Sequence, residues 1–268
     1  MKKALGVILF FALFVCSSCS LSTSEVILSS TESTQERQYR EDKRFNLLGE
    51  LEDENIQLYA ISKWRQPPAL ALFRHENAFV FDWSIDAHHH EVYPIKMMLR
   101  KAISNSGTDE LYIALVAGRG TAIQYEDLRI IQFTDIEHTE PDYYSETIHV
   151  DYSLVGSEFR DWLDAPLALM EPPNEDGNYT IELRGNEISA ILPKEYDEAG
   201  DLRDIYYGDY VEFFFGDSGE ITVEVGVCGE FSDPQWAYYG NFIGSVTAKV
   251  KFHNGKFTLS DYSFRQDA

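Results

Sequence analysis

The sequence is poor in cations and in cysteine. Its 268 residues hold 22 lysines and arginines against 45 aspartates and glutamates, a formal charge of −23. Such an acidic chain repels phosphates, so nucleic acid is not expected as a partner, and anionic lipid surfaces are disfavoured as peripheral partners. The hydrophobic share of 44% still leaves enough apolar material for the core of one domain, or of two small ones.

The sequence also lacks cofactor motifs and internal repeats. Gly118-Arg119-Gly120-Thr121 has neither the glycine pattern of a dinucleotide loop nor the lysine of a P-loop, and a turn between two strands explains its glycines. No repeat of 20 to 50 residues is visible, which argues against a propeller or solenoid. We therefore expect no cofactor.

Long apolar runs are absent except at the start. Lys2 and Lys3 precede Ala4–Val15, a run of 12 apolar residues. A helix of that length reaches only ~18 Å, short of the ~30 Å hydrocarbon core of a bilayer. Residues 1–18 are therefore predicted to be a secretory signal peptide.

The end of this leader resembles that of bacterial lipoprotein precursors. Ser17 and Ser18 are small residues that precede Cys19, the thiol that would carry palmitate and anchor the chain to the outer face of the cytoplasmic membrane. Cys16 departs from the pattern because such precursors usually carry leucine there. The alternative is ordinary secretion without a lipid. Removing residues 1–18 lowers the charge to −25, and with Cys19 acylated Cys228 has no disulfide partner.

The rest of the chain divides into a flexible tether (19–45), rich in Ser, Thr, Glu and Gln, and a single β-rich extracytoplasmic domain (46–268). Short apolar or alternating runs bounded by turn formers predict strands. We expect a mainly β fold of antiparallel sheets, either sandwich-like or α+β with one or two short helices. The predicted strands are 56–61, 69–73, 78–81, 111–116, 128–133, 179–183, 188–192, 210–215, 221–227, 246–252 and 257–264.

Two local signals are more specific. Val246–Phe252 alternates between apolar and polar residues, and Asn254-Gly255 then predicts a hairpin with a type I′ turn. Helical candidates are Pro94–Ile103, whose type the sequence leaves open, and Ser157–Leu163, with Ser157 as the expected cap.

Residues 56–264 resemble an uncharacterised extracytoplasmic domain of clostridial-type lipoproteins and of membrane proteins related to beta-lactam-sensing regulators. The resemblance rests on Phe81-Asp82-Trp83, Asp109–Ile123 and Leu128–Phe133, followed by 219–227 and 244–264. The family has no established activity to transfer. Members commonly carry a D-x-D-x-D-G loop, whereas Ala102, Ser104 and Ser106 stand at its acidic positions here, so no calcium loop is expected.

Three motifs suggest chemistry. Gly216-Asp217-Ser218-Gly219 matches the nucleophile motif of trypsin-like proteases, but the other motifs of that family are absent and a tight turn explains it better. His88 and His90 would point to one side of an extended segment and are candidate metal ligands, against the default of a solvated loop. Trp236, Tyr238 and Tyr239 are candidate ligand-binding aromatics, or else they close the core.

The sequence favours non-catalytic ligand binding or envelope sensing. The partner remains open among a small molecule, a glycan and a protein. A glycan or cell-wall hydrolase with paired carboxylates is the first alternative, and a metal-capturing lipoprotein is the second. If the protein is an enzyme, we expect a cleft in which two acids with perturbed pKa values lie close together.

Overall fold

The structure is a computed structural model. It describes residues 45–61, 69–74, 77–83, 95–101, 108–120, 123–135, 146–192, 194–196, 198–233, 235–236 and 241–266. Strands dominate these ranges, which confirms the predicted mainly β fold.

The described strands overlap every run that the sequence predicted, although the strand predicted at 188–192 ends at Ile191, and they include strands that the sequence did not predict. They are β1 (Phe45–Leu51), β2 (Ile56–Ile61), β3 (Ala69–Arg74), β4 (Asn77–Phe81), β5 (Lys96–Arg100), β6 (Asp109–Gly120), β7 (Ile123–Asp135), β8 (Glu146–Leu154), β9 (Leu167–Glu171), β10 (Asn178–Leu183), β11 (Asn186–Ile191), β12 (Leu202–Phe215), β13 (Ile221–Phe231), β14 (Phe242–His253) and β15 (Lys256–Arg265).

The strands form three sheets. Strands β1 to β4 make an antiparallel sheet in sequence order, and β11-β10-β9 make a second. The central sheet has the order β15-β14-β13-β12-β7-β6-β5, with β8 paired to β7. One described pairing is parallel: β12 meets β7 at Tyr210 opposite Gln124 and at Val211 opposite Tyr125.

Strands β6 and β7 are buried on both faces. Leu111, Ile113 and Leu115 pack into the core shared with β2 and β3, whereas Tyr112 and Ala114 belong to the core beneath β9 to β15. Successive residues of a strand point to opposite faces, so a strand between two cores reads as a continuous apolar run. This explains why residues 111–116 do not alternate with polar residues.

One of the two helical candidates is a strand and the other is a helix. The candidate Pro94–Ile103, whose type the sequence left open, contains strand β5 at residues 96–100. This strand pairs with β6 from Lys96 opposite Ala114 to Arg100 opposite Glu110. The predicted helix near residue 160 exists as α1 (Phe159–Leu163), preceded by a 3₁₀ turn at Gly156–Glu158.

The predicted cap by Ser157 is wrong, because Ser157 lies inside the 3₁₀ turn and neither helical element has a side-chain cap. The turn is held from β7 instead, since Asp127 Oδ1 accepts a hydrogen bond from the backbone N of Gly156 at 2.8 Å. A long-range side-chain contact thus replaces the local cap.

Both predicted turns are present. Asn254 and Gly255 have φ values of 49° and 73°, as a type I′ turn requires, and they join β14 to β15. Residues 216–219 connect β12 to β13, with the Gly216 N–H donating to the Glu220 carbonyl at 2.8 Å. The protease-like letters therefore form a tight hairpin turn.

Candidate functional site

Two β-bulges flank the short parallel contact between β7 and β12. In β12 the pairing with β13 shifts between Tyr207 and Val211, and in β6 the pairing with β7 shifts between Val116 and Gly118. Bulges re-aim side chains and are frequent next to functional sites. Here they border the first residues of β7, where a group of charged side chains converges.

We call Lys96, Glu126, Tyr210 and Glu212 the lysine–carboxylate cluster. Lys96 Nζ lies 3.0 Å from Glu126 Oε1, 2.7 Å from Glu212 Oε1 and 2.8 Å from the carbonyl oxygen of Phe213. The Tyr210 hydroxyl donates to the other oxygen of Glu212. An ammonium has three N–H donors, so these three acceptors use all of them.

The lysine–carboxylate cluster makes hydrogen bonds to the backbone of β12 at the point where the pairing of β12 with β7 ends. The N–H of Phe213 donates to Glu126 Oε2 at 2.7 Å, and its carbonyl accepts from Lys96. A carboxylate and an ammonium thus stand in for the acceptor and donor of a neighbouring strand. This role requires Glu126 to remain an acceptor and Lys96 to remain charged.

Burial dominates the electrostatics of the cluster. The side chain of Glu126 is only 4% exposed, against 20% for Glu212 and 30% for Lys96. Loss of hydration raises the pKa of Glu126, and the Lys96 charge and the Phe213 N–H offset part of that rise. Burial and the Glu212 carboxylate also raise the pKa of Tyr210.

A third carboxylate, Glu224 of β13, lies directly opposite Glu212. Its side chain is 9% exposed, and Arg265 Nη1 lies 3.9 Å from Glu224 Oε2, beyond hydrogen-bond distance. Lys96 neutralises one of the two negative charges of Glu126 and Glu212, so the three acids together retain an excess of negative charge.

The surroundings of Glu224 combine aromatic rings with a buried hydroxyl. Tyr210 and Phe242 meet edge to face with ring centroids 6.0 Å apart, and both lie over Gly226. Ser245 pairs with Gly226 and is 2% exposed, and its Oγ has no hydrogen-bond partner within the described part of the chain. We call Tyr210, Glu224, Gly226, Phe242 and Ser245 the Glu224 recess.

A second buried ion pair braces the other side of β6. Arg74 Nη2 lies 2.5 Å from Asp109 Oδ2, and its guanidinium stacks 4.1 Å from the centroid of the Phe133 ring. This contact ties β3 to β6. The pair also engages Asp109, an acid that follows the loop in which Ala102, Ser104 and Ser106 replace the acidic residues of the D-x-D-x-D-G pattern.

The structure places one of the predicted ligand-binding aromatics. Trp236 is half-buried against Tyr196, with ring centroids 5.6 Å apart, and its carbonyl accepts from Asn241 Nδ2 at 2.6 Å. Tyr238 and Tyr239 lie outside the described residues, as do Cys19, His88 and His90. Their roles stay predictions.

No metal-binding group of three or more His, Cys, Asp or Glu side chains occurs in the described ranges. The Cys228 thiol is buried, and burial raises its pKa to about 12. Such a thiol is a poor nucleophile at neutral pH.

Sequence reasoning missed Lys96, Glu126, Glu212 and Glu224. The available signal was a charged residue inside or beside an apolar strand run, as in Tyr210-Val211-Glu212-Phe213. That signal does not show which charges meet, because Lys96 is separated by 30 residues from Glu126 and by 116 from Glu212.

Comparison of the chain with protein-family models, with curated proteins and with solved structures finds no match in any of the three. Within the described ranges, no helix has the length and apolar character needed to cross a bilayer.

Proposed function

We propose that the protein is a lipid-anchored extracytoplasmic binding protein. Cys19 carries the acyl chain, residues 19–44 form the tether, and the β-rich domain, whose first strand begins at Phe45, binds its ligand without chemical conversion. The leader and the cysteine after Ser17-Ser18 support the anchor.

The observation that carries the binding role is the arrangement of Glu126, Glu212 and Glu224 on adjoining strands. These carboxylates are held on paired strands with aromatic rings beside them and a single lysine between two of them. Fixed charge next to apolar surface suits recognition of a ligand of opposite charge, because little has to reorganise on binding.

The anchor is tested by feeding cells an alkyne analogue of palmitate and detecting the label on the wild-type protein and on Cys19→Ala. Label on the wild type and none on the variant supports the proposal. Equal labelling of the two proteins, or none on either, contradicts it. Ser20→Ala, which keeps the thiol, serves as the matched control and should label as the wild type does.

One observation favours a second candidate, the glycan hydrolase. Glu126 and Glu212 both contact the Lys96 ammonium, which holds two carboxylates close together as a glycosidase requires, and burial raises the pKa of Glu126. Against this role, Lys96 contacts both acids, and both oxygens of Glu126 are engaged: Oε1 by the Lys96 ion pair and Oε2 by hydrogen bonds from Lys96 and the Phe213 N–H.

The two candidates separate by turnover. If the protein is a hydrolase, the wild type should release reducing ends from purified cell-wall glycan and Glu212→Gln should not. If it is a binding protein, neither the wild type nor Glu212→Gln should release them. Glu230→Gln, an exposed acid on β13, controls for the loss of one surface charge.

A further inference from the structure

We propose that the Glu224 recess binds the ammonium group of an alkylamine ligand. This inference rests on the proposed function, because it names the ligand class of the same face. The recess is formed by side chains that share one face of β12, β13 and β14.

Register puts the polar groups of the recess on the same side of the sheet. Glu224 stands opposite Glu212 on β12 and Thr247 on β14, and Gly226 stands opposite Ser245. Directly opposed residues in an antiparallel pair project to the same face, as do residues two apart on one strand. Ser245 is therefore a diagonal neighbour of Glu224.

Glu224 is the carboxylate of this face with unused hydrogen-bonding capacity. Glu212 accepts from Lys96 and from Tyr210, one donor on each oxygen. Glu224 is nine-tenths buried, and no hydrogen bond to its carboxylate occurs within the described residues, where Arg265 at 3.9 Å is its sole ion-pair partner. A mostly buried carboxylate without a close donor is a good partner for a cationic donor, because a hydrogen bond between charged groups is stronger than one between neutral groups.

Ser245 independently indicates a missing partner. Its hydroxyl is shielded from solvent and has no hydrogen-bond partner within the described residues, and a buried polar group left unsatisfied is unfavourable. A primary ammonium has three donors and so can serve both the Glu224 carboxylate and the Ser245 oxygen.

The aromatic side chains fit the organic part of such a ligand. The Phe242 ring lies against Gly226, where an added Cβ would come within 2.3 Å of Phe242 Cε1, and Tyr210 approaches the same point at 3.0 Å. Rings beside a carboxylate favour cations that carry carbon, because they bind the alkyl stem and attract the charge.

The neighbouring cluster shows that β12 already binds an ammonium in this way. Lys96 Nζ is held by two carboxylates and a carbonyl, and it lies 4.9 Å from the centroid of the Phe214 ring. Arg265, with a side chain 64% exposed, holds the corresponding cation position near Glu224 at a longer distance. An incoming ammonium would displace it.

The test uses the mature protein extracted from membranes into a nonionic maltoside detergent. It is titrated with n-butylammonium chloride while the backbone amides of Gly226 and Ser245 are followed by NMR. Sodium chloride at equal ionic strength and uncharged n-butanol are the matched probes. Saturable shifts with n-butylammonium alone support the inference, whereas equal shifts with sodium chloride overturn it.

Two substitutions should change the affinity for n-butylammonium in opposite directions. Glu224→Gln should weaken binding at least about tenfold, and Glu230→Gln should leave it unchanged. Arg265→Ala removes the competing cation and should tighten binding severalfold, a gain that misfolding cannot produce. An unchanged affinity in both Glu224→Gln and Arg265→Ala overturns the inference.

The source of the ammonium is resolved by a blocked lysine, N-acetyl-lysine methylamide. Binding comparable to that of n-butylammonium supports a lysine side chain as ligand, and binding of n-butylammonium alone supports a free amine. If neither binds while the wild-type protein carries the acyl label, the ligand class is wrong and the proposed anchor stands.

Discussion

Glu212 and Glu224 face each other directly across strands β12 and β13. Like charges in this position destabilise an antiparallel pair. The two sides of the pair are compensated unequally, since Glu212 binds Lys96 at 2.7 Å whereas Glu224 has Arg265 at 3.9 Å. The asymmetry makes Lys96 a structural requirement and leaves Glu224 able to bind a ligand.

Replacing Lys96 by methionine should destabilise the protein strongly. The change leaves Glu126 buried without its counterion and removes the donor to the Phe213 carbonyl. Removing one partner of a buried pair costs ~3–5 kcal/mol, and the 30% exposure of Lys96 reduces the expected loss to about 2–4 kcal/mol. Urea denaturation of the two proteins measures this difference.

Lys101→Met is the matched control. Lys101 is 64% exposed and pairs with Glu54 at 2.8 Å on the surface, so its loss should cost less than about 1 kcal/mol. Equal destabilisation by the two substitutions would show that burial of Glu126 does not govern the cluster.

Glu126 should give stability an unusual pH dependence. Its pKa is higher in the folded protein than the ordinary glutamate value of 4.5, so the folded chain binds this proton more tightly. The contribution of Glu126 to the free energy of unfolding is therefore fully present below pH 4.5 and falls as pH rises through the raised pKa.

The measurement is the difference in unfolding free energy between the wild type and Glu126→Gln at several pH values. The advantage of the wild type should shrink as pH rises above 4.5. An advantage that grows over this range would mean that Lys96 outweighs burial and lowers the pKa of Glu126.

Gly208 and Cys228 should be energetically coupled. A Cβ added to Gly208 would lie 2.4 Å from Cys228 Sγ, so Gly208→Ala forces the bulge of β12 to shift and should cost about 1–3 kcal/mol. In a Cys228→Ala background the sulfur is gone and the cost should fall by about 1 kcal/mol or more. Gly118→Ala, whose nearest described contact would be 3.7 Å away, is the control. Additive losses in the double variant contradict the contact.

Cys228 should react slowly in the folded protein. A pKa of about 12 leaves roughly one thiol in ten thousand ionised at pH 8. In a leaderless Cys19→Ser protein, where Cys228 is the only thiol, a chromogenic disulfide reagent should react far more slowly without urea than with it. A fast native reaction would show that the thiol is exposed.

Strands could be predicted from the sequence where burial gave a clear pattern of apolar residues. Val246–Phe252 alternates because one face is buried, and residues 111–116 form an uninterrupted apolar run because β6 lies between two cores. Strand β5 escaped a firm assignment because four of its five residues are only half-buried, so neither period is clear.

The candidate site could not be predicted because its geometry is long-range. The parallel contact of β12 with β7 covers two residue pairs, and no local pattern encodes it. The bulge between Tyr207 and Val211 depends on pairing with β13, so the orientation of Tyr210 and Glu212 is decided by the assembled sheet. A list of acids in the sequence therefore could not distinguish Glu224 from the exposed ones.

The most direct test of the anchored binding protein is the intact mass of the protein extracted from cell membranes, with fragmentation of its N-terminus. We expect a chain that begins at Cys19 and carries the added mass of acyl groups on that residue. A chain that begins at Met1, or an unmodified chain that begins at another residue, would contradict it.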